Sequence, residues 1–330
     1  MILAGDIGGT KTRLALFERP EPRQPVAQQT VSSREHADFD TIVREFVAAH
    51  PVTIEAACFG VAGPVRDGRS TATNLPWVVD AAALAQQLDT AHAWVINDLE
   101  ATAYGTAVLL PDDYCELNAG APGATGNLAV IAAGTGLGEA GLCWDGQRHH
   151  PFASEGGHAS FAPRDDLDVA LWNWLRRQWA DVSWERVLSG PGLLNIYRFL
   201  KDTGRGEEPD WLRVALQNDD PAAVISRTAL EKRSPLCEQA LDLFVSSYGA
   251  EAGNLALKLM ATGGVFVGGG IAPKNVDKMK DGGFMKAFCA KGRMKPVLEA
   301  MPVRVILNQH TPLLGAAHCA RIRLGAIDHR

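Results

Sequence analysis

The chain has 330 residues, enough for two domains, and its 46% apolar and 21% charged residues are ordinary for a globular protein. A formal net charge of −6 argues against general affinity for nucleic acid or anionic membranes, and no apolar run approaches the ~20 residues of a membrane span. The six cysteines include no C-x-x-C pair and we find no export signal, so we expect a cytoplasmic protein with reduced thiols.

The first predicted element is a hairpin around a glycine pair. The apolar runs Ile2–Ala4 and Leu14–Phe17 predict two strands. Between them, Gly8 and Gly9 leave backbone N–H groups open to an anion, and Asp6 adds a carboxylate. A glycine pair between short strands is more often a plain turn, so this signal alone is weak.

The next elements alternate between strand and helix, which predicts an α/β sheet. The predicted elements are a strand at 26–31, a helix at 38–49, a strand at 54–61, a helix at 81–88, a strand at 94–96 and a helix at 101–110. Ligands of such sheets gather at the carboxyl ends of the strands, where Asn97 and Asp98 lie.

A second hairpin repeats the first. Leu128–Ala133 predicts a strand, Gly134–Gly138 a turn, and Glu139–Trp144 the returning strand. The glycines also fit a dinucleotide-binding fingerprint, but that motif requires a helix after the turn, so we reject it. Two such hairpins predict two halves of a duplicated fold that face each other across a nucleotide.

The remaining chain predicts further helices and two more strands. In chain order these elements are a domain boundary within 111–126, a loop at 151–164, a helix at 167–179 capped by Asp165 or Asp166, two helices capped by Ser183 and Ser189, a long helix at 235–260, a glycine-flanked strand at 265–267, a strand at 302–307 and a helix at 312–324.

Phosphoryl transfer to an alcohol needs donors for the phosphates, a divalent metal, a base and exclusion of water. Asp6 is a candidate Mg²⁺ ligand, directly or through water, and Asp98 a candidate base. Taken singly, Asp98 is typical of a helix cap, and Glu185 of an acid favoured by a helix dipole. The Glu155 and His158 spacing occurs in metal sites, but no third ligand is near.

Together, eight motifs resemble the bacterial glucokinase family, in the superfamily of hexokinases, actin and heat-shock chaperone ATPases. The resemblance implies an α/β, two-domain actin-like ATPase (ribonuclease H-like) fold with an interdomain cleft. The motifs are Asp6-Ile7-Gly8-Gly9-Thr10, Thr73-Asn74-Leu75-Pro76-Trp77, Asn97-Asp98-Leu99-Glu100-Ala101, Gly134-Thr135-Gly136-Leu137-Gly138, Glu155-Gly156-Gly157-His158, Glu185-Arg186-Val187-Leu188-Ser189-Gly190-Pro191-Gly192, Gly263-Gly264-Val265-Phe266-Val267-Gly268-Gly269-Gly270 and Leu313-Leu314-Gly315-Ala316-Ala317.

The resemblance also implies the reaction, which is phosphorylation of glucose at its 6-hydroxyl by ATP and Mg²⁺, with Asp98 as base. The implied glucose-binding residues are Asn74, Asn97, Asp98, Glu155, His158 and Glu185. The implied nucleotide-binding residues are Asp6, Gly8, Gly9, Thr10, Lys11, Gly134, Thr135, Gly136, Gly138, Gly268, Gly269 and Gly270. A smaller domain, 1–108 plus 310–330, would hinge against a larger one, 109–309, and we expect a homodimer with no nucleic-acid or membrane partner.

One residue departs from the family pattern. Lys11 stands where glucokinases often have Asn, and lysine is common in the related repressor/open-reading-frame/kinase sugar-kinase family. That family carries a cysteine-rich zinc motif after its Glu-x-Gly-His, and no such motif follows His158. A kinase of another hexose, such as mannose or fructose, and a sugar-sensing regulator without catalysis remain the alternatives.

Overall fold

A computed structural model describes residues 1–19, 23–72 and 75–328, so the predicted glucose-binding residue Asn74 lies outside the described residues. The strands are β1 Ile2–Ile7, β2 Lys11–Phe17, β3 Ala27–Ser32, β4 Ala56–Val61, β5 Val65–Arg66, β6 Arg69–Thr71, β7 Val78–Asp80, β8 Ala93–Asn97, β9 Tyr114–Asn118, β10 Leu128–Ala133, β11 Leu137–Trp144, β12 His149–Ser154, β13 Gly264–Gly268 and β14 Val303–Ile306. The helices are α1 Phe39–Ala49, α2 Ala81–Gln87, α3 Asp98–Thr106, α4 Asp166–Leu175, α5 Gly190–Asp202, α6 Asp210–Asn218, α7 Pro221–Leu230, α8 Pro235–Leu259, α9 Val276–Lys280, α10 Gly283–Cys289, α11 Lys295–Glu299 and α12 Thr311–Asp328. In the described part of the chain, no helix is both long and apolar enough to cross a membrane.

The chain divides into two compact units. The first comprises Met1–Asp113, Pro151–Ala153 and Asn308–Arg330, and the second Tyr114–His150 and Ser154–Leu307.

The first unit is built on a five-stranded sheet in the order β3-β2-β1-β4-β8. Strands β1, β4 and β8 are parallel, and β2 and β3 are antiparallel additions. Both faces of β1 are buried: Leu3 packs in one apolar cluster with Phe39 and Phe46 of α1, whereas Ile2 packs in another with Leu313 of α12. A parallel sheet covered on both faces explains why β1 and β4 read as continuous apolar runs instead of alternating ones.

The second unit has a six-stranded sheet in the order β12-β11-β10-β13-β14-β9. Its largest apolar cluster contains Ile131 of β10, Val267 of β13 and Phe244 of α8, the long helix. Helix α10 packs closely on α8 at Gly249. A Cβ added to this residue would lie only 2.1 Å from the backbone oxygen of Phe284, so the absence of a side chain allows the two helices to approach.

Five strands of the two sheets follow the same order, and β9 is an additional strand at the edge of the second sheet. In each, an antiparallel hairpin (β1 and β2, or β10 and β11) is extended by a third strand on one side and by two parallel strands on the other. The predicted duplication of the hairpin unit is therefore confirmed at the level of topology. A strand follows the second glycine turn, which confirms the rejection of the dinucleotide-binding motif.

Several local predictions differ from the structure. The loop predicted at 151–164 is wrong in its first four residues, because β12 continues to Ser154. Helix α3 begins at Asp98, three residues earlier than predicted, because the side chain of Asn97 caps it. The capping role considered for Asp98 is therefore wrong. Ser183 caps no helix: it precedes a three-residue turn, Trp184–Arg186, and its side chain makes no capping hydrogen bond.

Candidate active site

The first glycine turn is held from behind by a buried serine. Ser33 donates its hydroxyl hydrogen to the Gly8 carbonyl at 2.8 Å, and its backbone N–H donates to the Thr10 carbonyl at 3.0 Å. Its hydroxyl also lies 3.0 Å from that of Thr12, which is buried. The Thr12 hydroxyl is thus used inside the fold, while Thr10 and Lys11 at the tip remain exposed and available to a ligand.

Asp6 lies near the end of β1, just before this turn. Its carboxylate forms an ion pair with Arg13 of β2, in which Nη1 is 2.9 Å from Oδ2. Burial raises the pKa of the Asp6 carboxyl, and the charges of Arg13 and His310 oppose that shift. One carboxylate beside a glycine turn with exposed backbone would suit a Mg²⁺ that keeps several waters and takes its other ligands from phosphates.

Asn97 and Asp98 lie at the carboxyl end of β8, on the same edge of the sheet as Asp6. The Asn97 Oδ1 accepts the N–H of Leu99 at 2.9 Å, and its Nδ2 donates to the Gly63 carbonyl at 3.1 Å. These bonds fix the start of α3, so that Asp98 becomes the first helical residue, where the helix dipole favours a carboxylate.

The second glycine turn is tied to Glu185. The Glu185 Oε2 accepts the N–H of Leu137 at 3.0 Å, and a Cβ at Gly136 would lie 2.4 Å from that oxygen. The Gly190 N–H donates to the Gly134 carbonyl at 2.8 Å, so the start of α5 also holds the turn. Glu185 is therefore a partner of the turn, in addition to its predicted role toward a sugar.

The third glycine turn lies beside the second, because β10 and β13 are parallel neighbours. The Ile271 N–H donates to the Ala133 carbonyl at 3.3 Å. Gly269 has φ +81° and its Cβ position is 2.2 Å from the same oxygen, so only glycine fits. The structure thus brings together Gly134–Gly138 and Gly268–Gly270, which the sequence places far apart.

Tyr248 joins these two turns and was missed in the sequence analysis, where it was only part of a long helix. Its buried hydroxyl accepts the N–H of Ala133 at 2.9 Å and lies 3.1 Å from the Gly268 carbonyl, to which it donates. The available signal was a tyrosine on an otherwise apolar, buried helix face, since a buried phenol requires hydrogen-bond partners.

Glu155 and His158 are exposed on a short turn, Gly156–His158, with His158 Nε2 4.0 Å from Glu155 Oε2. The Trp184 N–H donates to the Ala159 carbonyl at 2.9 Å, which places this turn next to the one carrying Glu185. Three of the predicted sugar-binding side chains therefore lie on two adjacent turns of the second unit.

The described residues contain no group of three or more His, Cys, Asp or Glu side chains arranged to hold a metal ion. The donor set at Asp6 fits a Mg²⁺ that arrives with a nucleotide, since one protein carboxylate is sufficient for it.

Comparisons with known proteins agree with one another. A family model described as Glucokinase matches residues 3–323. A glucokinase of Nostoc punctiforme is 43% identical over 97% of this chain and 98% of its own length. The crystal structure of a glucokinase from an Antarctic psychrotroph has a TM-score of 0.84 at 32% identity, covering 97% of this chain and 98% of that one.

A more distant structure shows the shared fold. It is a glucokinase of Streptomyces griseus from the repressor/open-reading-frame/kinase (ROK) family, solved in complex with glucose and AMPPNP. Its TM-score is 0.65 at 22% identity, covering 97% of this chain and 99% of that one. The chain has the two-domain actin-like ATPase fold of these proteins. With a family model matched over nearly its whole length, the chain belongs to the glucokinase family.

Proposed function

We propose that this chain transfers the terminal phosphoryl group of ATP to the 6-hydroxyl of D-glucose, with Asp98 as the general base. The observation that carries the proposal is the position of Asp98. It is held at the first residue of α3 by the Asn97 cap, on the sheet edge that also carries the first glycine turn.

Asp98 is suited to accept a proton. Its Oδ1 accepts the N–H of Leu99 at 3.0 Å, and Thr102 donates to its backbone carbonyl at 2.9 Å, so the residue is fixed on both sides. In the proposed step the carboxylate takes the proton of the 6-hydroxyl as the sugar oxygen bonds to the terminal phosphorus and ADP leaves.

The sugar contacts are assigned to Asn74, Asn97, Glu155, His158 and Glu185 together with Asp98. Carboxylates, an imidazole and amides hydrogen-bond hydroxyl groups, and a sugar that lacks one of those hydroxyls leaves a partner unpaired at a cost of about 1–3 kcal/mol. This is the physical reason to expect discrimination between hexoses.

The nucleotide contacts are assigned to the three glycine turns. Gly8, Gly9, Thr10 and Lys11 would contact phosphates from the first unit, and Gly134, Thr135, Gly136 and Gly138 from the second. Gly268, Gly269 and Gly270 would border the adenosine. Asp6 would hold Mg²⁺ directly or through water, and the metal would neutralise charge on the phosphates.

Further parts of the proposal concern the whole molecule. The proposed smaller domain comprises residues 1–108 plus 310–330, and it hinges against a larger domain, 109–309, around an interdomain cleft. Closure of the cleft is expected because phosphoryl transfer requires water to be excluded. We also propose a cytoplasmic homodimer that has neither a nucleic-acid nor a membrane partner; the net charge of −6 supports the last two points.

The proposed function is tested by measuring sugar-phosphate formation over a panel of hexoses, with ATP, ADP and polyphosphate as donors. We expect kcat/KM for glucose with ATP to exceed that for fructose and galactose by about 100-fold or more, since several side chains would hydrogen-bond the sugar hydroxyls at once. Equal turnover of fructose at low concentration would instead identify a kinase of another hexose. No turnover of any sugar, with glucose still bound, would favour a sensor.

A further inference from the structure

Two acidic side chains that have no role in the site described above are buried in the second unit. Glu139 of β11 is 1% exposed and Glu251 of α8 is fully buried. Burial, the charge of Glu251 and the contact between the two carboxyl groups all raise the pKa of Glu139. We infer that one of the two groups keeps its proton, because two carboxylates in contact have no hydrogen to share.

The surroundings indicate which of the two carries the negative charge. Glu251 accepts a hydrogen bond from Asn254 Nδ2 at 2.7 Å and pairs with Lys258 Nζ at 3.5 Å. Oε1 of Glu139, by contrast, is buried and has no hydrogen-bond partner among the described residues. Glu251 is therefore the ionised member and Glu139 the protonated one.

Lys258 is the cation whose charge acts on Glu139, and the other ionisable groups nearby do not stabilise a Glu139 carboxylate directly. Lys291 Nζ donates to the Ala250 carbonyl at 2.9 Å and to Asn254 Oδ1 at 2.5 Å, so it reaches Glu251 only through the amide. Tyr248, also facing the pair, is neutral, because burial raises the pKa of its phenol well above the usual range. Burial and the charge of Glu251 raise the pKa of Glu139 to about 7.

The pair lies directly beneath the loop that carries Glu155 and His158. A Cβ at Gly156 would be 1.9 Å from Glu139 Oε2, so the loop backbone rests on this carboxyl group. The neighbouring Gly157 packs equally closely on β11, since its Cβ position is 2.0 Å from the Leu137 carbonyl oxygen. Any movement of the Glu139 carboxyl is therefore passed to the loop.

We propose that Glu139 and Glu251, through their shared proton, are positioning residues that hold the Glu155–His158 loop in its sugar-binding geometry. The role rests on the proposed function, because it concerns the sugar contacts. When the proton leaves, two buried carboxylates repel each other under Gly156 and the loop shifts. Sugar affinity then falls, whereas the second glycine turn keeps its hydrogen bonds with Glu185 and Gly190.

The test compares the pH dependence of KM for glucose in the parent and in Glu139→Gln. Glutamine keeps the size and a hydrogen-bond donor but cannot ionise. Between about pH 6 and pH 8 the parent KM for glucose rises about 3- to 10-fold, as the carboxyl titrates, and KM for ATP stays level. In Glu139→Gln the KM for glucose stays level near the low-pH value of the parent.

Two further variants control this comparison. Glu251→Gln removes the other charge and gives the same level profile, which keeps the test valid if Glu139→Gln folds poorly. Glu207→Gln changes an exposed glutamate elsewhere in the unit and keeps the parental profile. His158 is present in every variant, so it cannot account for a difference between their profiles. A parental profile in both pair variants, or a level profile in the parent, overturns the proposal.

Urea unfolding separates the pair from the proposed function. Since the folded pKa of Glu139 is raised from 4.5 to about 7, its contribution to stability is full below about pH 4.5 and is lost as pH rises through about 7. The difference in unfolding free energy between the parent and Glu139→Gln should therefore fall as pH rises, whether or not any hexose is phosphorylated. If the difference falls but no hexose is phosphorylated, only the proposed function is refuted. Absence of the slope overturns the shared proton and with it the positioning role.

Discussion

Replacement of Asp98 by Asn lowers kcat for glucose phosphorylation by about 10²–10⁴-fold, the usual contribution of a general base. The amide keeps the shape of the side chain and still hydrogen-bonds, so glucose binds within a few-fold of the parent. Because Asn97 is the cap of α3, the substitution leaves the capping hydrogen bonds intact and folding stability nearly unchanged.

The matched control is Glu100→Gln. Glu100 lies in the same first turn of α3 and pairs with Arg323, Nη2 to Oε1 3.5 Å, so the variant removes one negative charge from the same helix end. We expect its kcat to stay within a few-fold of the parent. Equal losses in both variants would indicate an electrostatic effect of the helix end, and a few-fold loss in Asp98→Asn would exclude Asp98 as the base.

Replacement of Gly269 by Ala raises KM for ATP by about 10-fold or more and lowers the free energy of unfolding by about 1–3 kcal/mol. The added Cβ would lie 2.2 Å from the Ala133 oxygen, and alanine is strained at φ +81°. The end of β10 and the third turn must therefore separate. Steady-state kinetics and urea denaturation measure the two effects, and KM for glucose should change less than KM for ATP.

Gly270→Ala is the control within the same turn. Apart from its two chain neighbours, no described residue has an atom within 4 Å of its Cβ position, so the substitution leaves the stability of the protein unchanged. If Gly269→Ala were as stable as Gly270→Ala, the turn would be adaptable, and the close contact with Ala133 would not position it.

Much of the fold was predictable because its signals are local. The apolar runs of β1 and β10, the glycine turns that follow them, and the Ser189 cap all gave correct elements. The duplication was visible because the same strand-turn-strand pattern occurs twice. Helices α6 and α7 were not predicted, although Asp220 followed by Pro221 is a typical helix start.

The residues of the candidate site could be predicted from the sequence one by one. The contacts with distant residues that hold the turns and loops of the site in place could not. Glu185 was interpreted as a helix-dipole acid, whereas it accepts the Leu137 N–H, a contact between residues 48 positions apart. Tyr248 and Glu139 contact turns that lie far from them in sequence, and no local pattern predicts such pairs. The start of α3 was misplaced because Asn and Asp cap equally well, and only the structure distinguishes Asn97 from Asp98.

The position of the transferred phosphate tests the central claim most directly. Purified protein is incubated with ATP, Mg²⁺ and glucose, and the product is identified by phosphorus and carbon NMR, with 6-deoxyglucose as a parallel substrate. The account predicts a single product phosphorylated on the oxygen of carbon 6, and no phosphorylated product from 6-deoxyglucose. A phosphate on any other hydroxyl, or a phosphorylated 6-deoxyglucose, would contradict it.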